Sequence, residues 1–550
     1  MNGKPRPVPV AHLGSTADLF ALLQAAEPFR ARSLSHGAVA ALHSLCQELD
    51  VAGTIDRHLA KHGPRVRPSQ ALPKMASAPK KNDGLTVGQS LALIAIGRAC
   101  HATSKRGFAA WAGSTTLGEL ASAPVERLSS QHFWDQMDQL PVEAVASIER
   151  ELVGRVLARL ELPVDTLLFD ATNFFTFIAS TNSRPKLPRR GHNKQKRTDL
   201  RQVGVALLCS RQGGIPLWHQ TYGGQIADAR CFAEVLPTVR QRLVDLQRDI
   251  GSMTVVYDKG NVSRANQNLV DSSGLHYVTG MTVASQRELV NEANPLLAPV
   301  ELAQDDLVLA WRTRRKIWGT ERTAVVLVSE RLREGQIRGI QQHVASVSHW
   351  LSALADTLCR GKQKRDRARI QRDIESHLKG RQHLGRVIRY QLIGDDPKLT
   401  LTWEFDSIAF DALANETLGR LVLITDRDDW STAEIIRTYR HQADIEAVFA
   451  HLKDPVHLAL RPQFHWTDQK LHVHVFTCML GYLLARALYL RARATGYVGS
   501  MESLLDTLEK VRRVTVIRQP TQSSKPRVTT QLEDIDPSLL RLMEALKIAA

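Results

Sequence analysis

Ser431 to Pro455, STAEIIRTYRHQADIEAVFAHLKDP, is the stretch from which the rest of the chain can be read. Its spacing predicts a single helix. Ser431 with Glu434 three residues later is a capping-box start, and Pro455 stands where a helix must already have stopped. Ile445, Val448, Phe449 and Leu452 fall at i, i+3, i+4 and i+7, an apolar stripe for a core. At about 100° per residue, Tyr439, Gln442, Glu446 and Lys453 project within roughly 60° of one another on a neighbouring stripe. A phenol, an amide, a carboxylate and an amine therefore share one line, while Asp444 points about 160° away from Glu446. Taken alone, this is also what the polar face of a surface helix looks like.

Two further acids give the stripe a second meaning. TLLFDATNFFTF places Asp170 after Leu167, Leu168 and Phe169, and SMTVVYDKGNVS places Asp258 after Val255, Val256 and Tyr257. Both apolar runs read as buried strands, so each aspartate is expected at a strand end. An acid there is costly unless it is paired, hydrogen-bonded or metal-bound. Asp170, Asp258 and Glu446 together are the ligand set that two Mg²⁺ ions need, with Mn²⁺ as a substitute. Such a pair clamps the attacking and leaving oxygens of a phosphodiester displacement. Mg²⁺ takes hard oxygen ligands and keeps several waters, so few carboxylates suffice.

Composition narrows the partner. Lys plus Arg number 72 against 56 Asp plus Glu among 550 residues, a net charge of +16. So basic a balance points to a polyanion, and nucleic acid is the commonest. The six cysteines are scattered and never form C-x-x-C, which fits reduced thiols rather than a disulfide frame or a zinc site. The N-terminus MNGKPRPVPVAHLG has no apolar h-region, and the apolar run Val475–Leu490 is short for a span and broken by Arg486. These features predict a cytoplasmic, nucleoid-associated protein with no membrane role.

With these residues in place, the sequence resembles the insertion-sequence transposases of the DDE superfamily, in the branch whose third acid sits in the signature Y-x2-R-x3-E-x6-K. Tyr439, Glu446 and Lys453 match that signature, and Gln442 stands where the family has arginine. RGHNKQKRTDLRQVGVALL (Arg190 to Leu208) and RPQFHWTDQKLHVHVFTCMLGYLL (Arg461 to Leu484) resemble the family's segments before the second strand and after the signature helix. The resemblance implies an α/β fold: an RNase H-like catalytic core, a mixed sheet with flanking helices, interrupted by a β-rich insertion and preceded by a mainly helical region. It implies a DNA transposase that cuts at element ends and joins the 3′-hydroxyl to target DNA. Asp170, Asp258 and Glu446 would be catalytic and metal-binding. Tyr439, Gln442 and Lys453 would meet phosphates, although a glutamine cannot replace arginine's bidentate charge. The partners implied are double-stranded DNA, as terminal inverted repeats and as target, and a second copy in a homodimer.

The chain divides into a helical N-terminal region at 1–160, expected to bind terminal-repeat DNA, and a first part of the core at 161–282. An insertion follows at 283–418, a second part of the core at 419–498 and a helical tail at 499–550. Within the basic run from Lys186 to Arg201, Lys194, Lys196 and Arg197 are candidate phosphate contacts. Trp318, in KIWGT, reads either as a core tryptophan or as a platform for an unpaired base beside the cleavage point. Two other readings stay open: an RNase H-like nuclease without strand transfer, and a retired transposase kept for DNA binding.

Overall fold

The computed structural model of the protein describes residues 15–17, 29–62, 84–179, 181–193, 195–304, 306–360, 366–379, 381, 383–396, 398–460, 463–518 and 525–548. The sequence predicts a loose start over residues 1–35 and a Pro-, Ser- and Lys-rich linker over 63–83; the linker and most of the loose start lie outside the described residues. The first strand, β1 (Phe29–Ser35), precedes a helical block of Gly37–Glu48, Val51–His62, Val87–Cys100, Ser130–Gln139 and Val142–Leu160. Then come β2 (Thr166–Thr176), β3 (Arg201–Ser210), β4 (Pro216–Gly223), β5 (Thr254–Tyr257) and β6 (His276–Met281). β7 (Ala298–Ala303), β8 (Asp306–Ile317) and β9 (Thr320–Val328) follow, then the hairpin β10 (Ile388–Ile393) and β11 (Thr400–Phe405). β12 (Arg420–Thr425), β13 (Arg512–Arg518) and β14 (Arg527–Leu532) complete the set.

One nine-stranded sheet carries the order β4-β3-β2-β5-β6-β12-β9-β8-β7. Its first five strands follow an RNase H-like plan. β2, β5 and β6 run parallel, and β3 is reversed between β2 and β4. The apolar runs explain the placement: Thr254 to Tyr257 are all buried, as the near-continuous hydrophobicity of a parallel strand covered on both faces requires. The helix Asp468–Ala494 covers the helical block so closely that a Cβ on Gly481 would sit 2.8 Å from the Ala95 carbonyl. By length and composition this helix could cross a membrane, but 83% of its apolar window is buried inside the protein, so it is a core helix.

Three boundaries differ from the sequence reading. Strands β7, β8 and β9 were expected inside a separate β-rich insertion; they extend the main sheet beyond β12. The reason is β9, where every residue from Arg322 to Val328 is buried, as befits an interior strand rather than one face of a small hairpin unit. What stands apart is residues 330–418. This body is mainly helical (Glu330–Cys359, Arg367–Leu378 and Ser407–Glu416) around its own core of Val347, Leu351, Ile374, Leu384, Val387 and Leu413. It leaves and rejoins the sheet at one point, where the Ser329 N–H donates to the Gly419 carbonyl at 2.8 Å and Val328 pairs with Arg420.

The second difference lies at the chain's ends. β1, read as part of a loose start, pairs with β13, and β13 pairs with β14 in a tail that had been expected to be helical. The alternation in RRVTVIR and RVTTQL is that of strands. Third, the block before residue 160 is no separate domain, because its buried side chains belong to the same continuous core as the main sheet.

Candidate active site

The parallel register of β2 and β5 ends at the pair Phe169–Tyr257. The next residue on each strand is an aspartate, so Asp170 and Asp258 fall side by side where the pairing stops. Asp170 is not at a strand end as expected: β2 runs on to Thr176, still paired with β3. Asp170 is partly exposed, and one of its oxygens accepts the Ala171 N–H at 2.8 Å. Asp258 leaves β5 in extended conformation and precedes the short turn Lys259–Asn261. We call this border of the sheet the acid edge.

The signature stretch reaches the acid edge as two helices, Thr432–Arg440 and Gln442–Lys453, not the single helix expected. Ser431 caps the first, its hydroxyl accepting from the Glu434 N–H at 3.1 Å. The break is at His441, whose carbonyl accepts from the Asp444 N–H three residues on and whose ring meets the Asp444 carboxylate at 2.8 Å. From Ser431 to Asp454 there is no glycine or proline to announce it.

The break changes what the stripe does. The Tyr439 hydroxyl donates to Asp258 at 3.4 Å, over Gly280 of β6, where any Cβ would lie 2.5 Å from that hydroxyl. Burial raises the pKa of Tyr439, and the charges of Asp258 and then Glu446 raise it further. The phenol therefore stays protonated as a donor between the two acids. Glu446 is exposed. Lys453 donates to the Thr172 hydroxyl at 2.9 Å and lies over the rings of Phe174 and Phe449. Thr172 is two residues from Asp170 and so on the same face of β2.

Gln442 departs from its expected role. It is buried, and its Nε2 donates to the Phe169 carbonyl at 3.0 Å. Instead of facing phosphate, it ties the second helix to the strand residue before Asp170. Trp318 departs further. It forms the β8–β9 turn with Gly319, both at positive φ, and packs half-buried on the core. Register puts Asp258 level with Gly280, Leu423 and Val325, and β9 begins five residues before that level, about 17 Å toward the opposite edge, with Trp318 in the turn beyond. It cannot stack on a base beside these acids. Lys196 is exposed, Arg197 makes a paired contact with Asp199 at 2.7 Å through two nitrogens, and Lys194 lies outside the described residues.

As hard oxygen donors the carboxylates suit a hard cation in chemistry, and two of them adjoin at the end of the β2–β5 pairing. The site is open rather than a preformed cage. Among the described residues, no three His, Cys, Asp or Glu side chains stand close enough together to hold one ion.

A family profile described as transposase DDE domain matches residues 165–484, more than half the chain and the whole of this site. The chain belongs to the DDE transposase family. No curated protein matches this transposase in sequence. Among solved structures it is similar to the piggyBac transposase synaptic complex with hairpin DNA, at 8% identity and a TM-score of 0.39, covering 85% of this chain and 79% of that one. A pre-cleavage Mos1 transpososome matches at 10% identity and a TM-score of 0.16, covering 44% of this chain and 76% of that one. Likenesses this remote carry no argument about the site.

The sequence reading missed the aromatic residues just beyond β2. Phe177, Phe464 and Trp466 are exposed where the chain leaves β2. Along Gln463, Phe464, His465 and Trp466 burial alternates with the polar side chains inside and the aromatic ones outside, the reverse of what sequence alternation predicts, so no sequence signal marked them.

Proposed function

We propose that this transposase binds the terminal inverted repeats of its element as a dimer, cuts the DNA at the element ends and joins each freed 3′-hydroxyl to target DNA. One observation carries the reading: Asp170 and Asp258 adjoin in register while Tyr439 bonds Asp258 and lies within the field of Glu446. Asp170, Asp258 and Glu446 would hold two Mg²⁺ or Mn²⁺ ions. Bound there, such ions make water or a 3′-hydroxyl more nucleophilic and stabilise charge on the leaving oxygen.

The remaining roles belong to this chain's own groups. Tyr439 orients the Asp258 carboxylate with a neutral donor, adding no competing charge. Gln442 fixes the helix bearing Glu446 against β2, at the residue next to Asp170. Lys453 is a point charge beside Asp170 and suits the anionic oxygens of a phosphodiester. In the first step a water oxygen bonds to phosphorus as the P–O3′ bond breaks, the water's proton passes to solvent and a 3′-hydroxyl leaves. In the second step that hydroxyl replaces water on a target phosphate. One P–O bond forms as one breaks, so no external energy source is needed.

The test is incubation of the purified protein with Mg²⁺ and labelled duplex carrying its element's ends, beside Glu446→Gln. The reading expects 3′-hydroxyl ends and joined products from wild type, and binding without cleavage from the variant. Hydrolysed ends with no joined product would make the protein a nuclease. Equal behaviour of the two proteins would remove Glu446 from the mechanism.

A further inference from the structure

Past Asp170, β2 continues as an arm to Thr176, with Phe177 next, seven residues and about 23 Å from Asp170 at the rise of a strand. Gln463 bridges to Thr176, and the Phe177 N–H donates to the Gln463 carbonyl at 2.9 Å, so residues 463–466 lie alongside the end of this arm. Their alternation is anchored from within. Gln463 and His465 are 0% and 4% exposed, and the His465 ring stacks on His474 and meets Lys105 Nζ at 3.0 Å. The intervening side chains face outward, Phe464 50% and Trp466 62% exposed, with Phe177 at 46% and its ring centroid 5.9 Å from that of Phe464. Three aromatic rings are thus held out on a rigid backing. Solvent alone gives no reason for this, and large exposed apolar clusters mark binding surfaces.

What surrounds the rings identifies the occupant. Two adjoining hollows, of about 660 and 370 Å³, share Phe177, Ile178, Ala179 and Asn182. Arg189 and Arg190 line the first, and Arg184, Phe464 and Trp466 line the second. Arg184 and Arg189 make no ion pair among the described residues. Asp199, the acid on this rim, is occupied by Arg197. The loop carrying these arginines is pinned, because the Asp468 carboxylate accepts the N–H groups of Lys186 and Leu187 at 2.8–2.9 Å. Fixed positive charge beside apolar rings is the chemistry of proteins that press wedges into the minor groove while holding the adjacent phosphates.

Resting on the transposase reading above, we infer that Phe177, Phe464 and Trp466, with Arg184, Arg189 and Arg190, grip duplex DNA about seven base pairs from the scissile phosphate. The arm sets that distance: about 23 Å corresponds to about seven base pairs at some 3.4 Å each. The rings lie against the sugars and base edges of the minor groove, and the guanidinium groups meet the flanking phosphates.

The test uses the full chain and a 50-base-pair duplex bearing the terminal repeat, with Phe464→Ser/Trp466→Ser, Trp466→Phe and Arg190→Ala. Hydroxyl-radical footprinting of wild type is expected to show protection five to eight base pairs from the cut. The double variant should lose that patch and about ten-fold or more in affinity, with an unchanged melting temperature, and Trp466→Phe should keep both. Arg190→Ala should lower the salt dependence of binding by about one ion. An unchanged footprint and affinity in the double variant would overturn the grip. So would a change in subunit number by light scattering with the patch intact, which would assign the ledge to contact between copies. If wild type neither protects nor cuts the repeat, the transposase reading fails, and the grip fails with it.

Discussion

Trp318 and Trp466 are both tryptophans outside the strands, and they lie beyond opposite borders of the main sheet. Trp318 closes the β8–β9 turn far from the acids, half-buried and in a left-handed conformation. Trp466 stands 62% exposed beyond the arm that continues from Asp170. At Trp318 the ring is used for packing under a tight turn; at Trp466 the backbone is buried so that the ring can be offered outward. The two borders differ in the same way throughout. The acid edge holds partly exposed carboxylates, open hollows and the departure point of residues 330–418. The far edge holds closed networks such as Arg322, buried between Asp271 at 2.6 Å and the Tyr277 hydroxyl at 2.5 Å.

If that contrast is right, substitutions at the acid edge change rates and those at the far edge change stability. Asp258→Asn should lower cleavage by about a hundred- to a thousand-fold while melting temperature holds, the scale expected when charge stabilisation at a reacting centre is removed. A stable variant with near-normal turnover would break the contrast at its centre. Asp271→Ala, which leaves the Arg322 guanidinium buried and unpaired, should cost about 3 kcal/mol by urea denaturation and leave turnover per folded molecule unchanged.

Tyr439→Phe should reduce cleavage about ten-fold, the worth of one hydrogen bond to a charged group, with little change in unfolding. A larger loss accompanied by destabilisation would make the phenol structural instead. The smallest effect is expected at Trp318. Asn-Gly suits a turn with two positive φ values, so Trp318→Asn trades packing for backbone ease and should shift stability by about 1 kcal/mol or less, without touching cleavage. Loss of cleavage there would return Trp318 to the site.

How much of this was legible depended on whether the signal was local. Leu167–Phe169 and Val255–Tyr257 announced two buried strands and the acids that follow them, and Ser431 announced its helix, because period and capping are written in adjacent residues. The break at His441 was not, since it is set by contacts of Gln442 and Tyr439 with two different strands. Nor was the extent of the sheet: β9 looks like any short apolar strand until its neighbours on both sides are known. Trp318 was singled out over Trp466 for a similar reason. Exposure is a property of what packs behind a residue, and the partners of His465 lie in Lys105 and His474, the former 360 residues away in sequence.

The meeting of Ser329 with Gly419 has a further consequence for how such a protein can change. Because β9 and β12 are antiparallel neighbours, residues 330–418 are topologically one very long hairpin loop. Lengthening a loop whose ends already meet adds little closure entropy, about 0.6 kcal/mol per doubling. The body with its own core can therefore be exchanged, enlarged or trimmed to a short turn without altering the register of any strand in the main sheet. It is a cassette with a single doorway, and that doorway opens on the border where the acids stand.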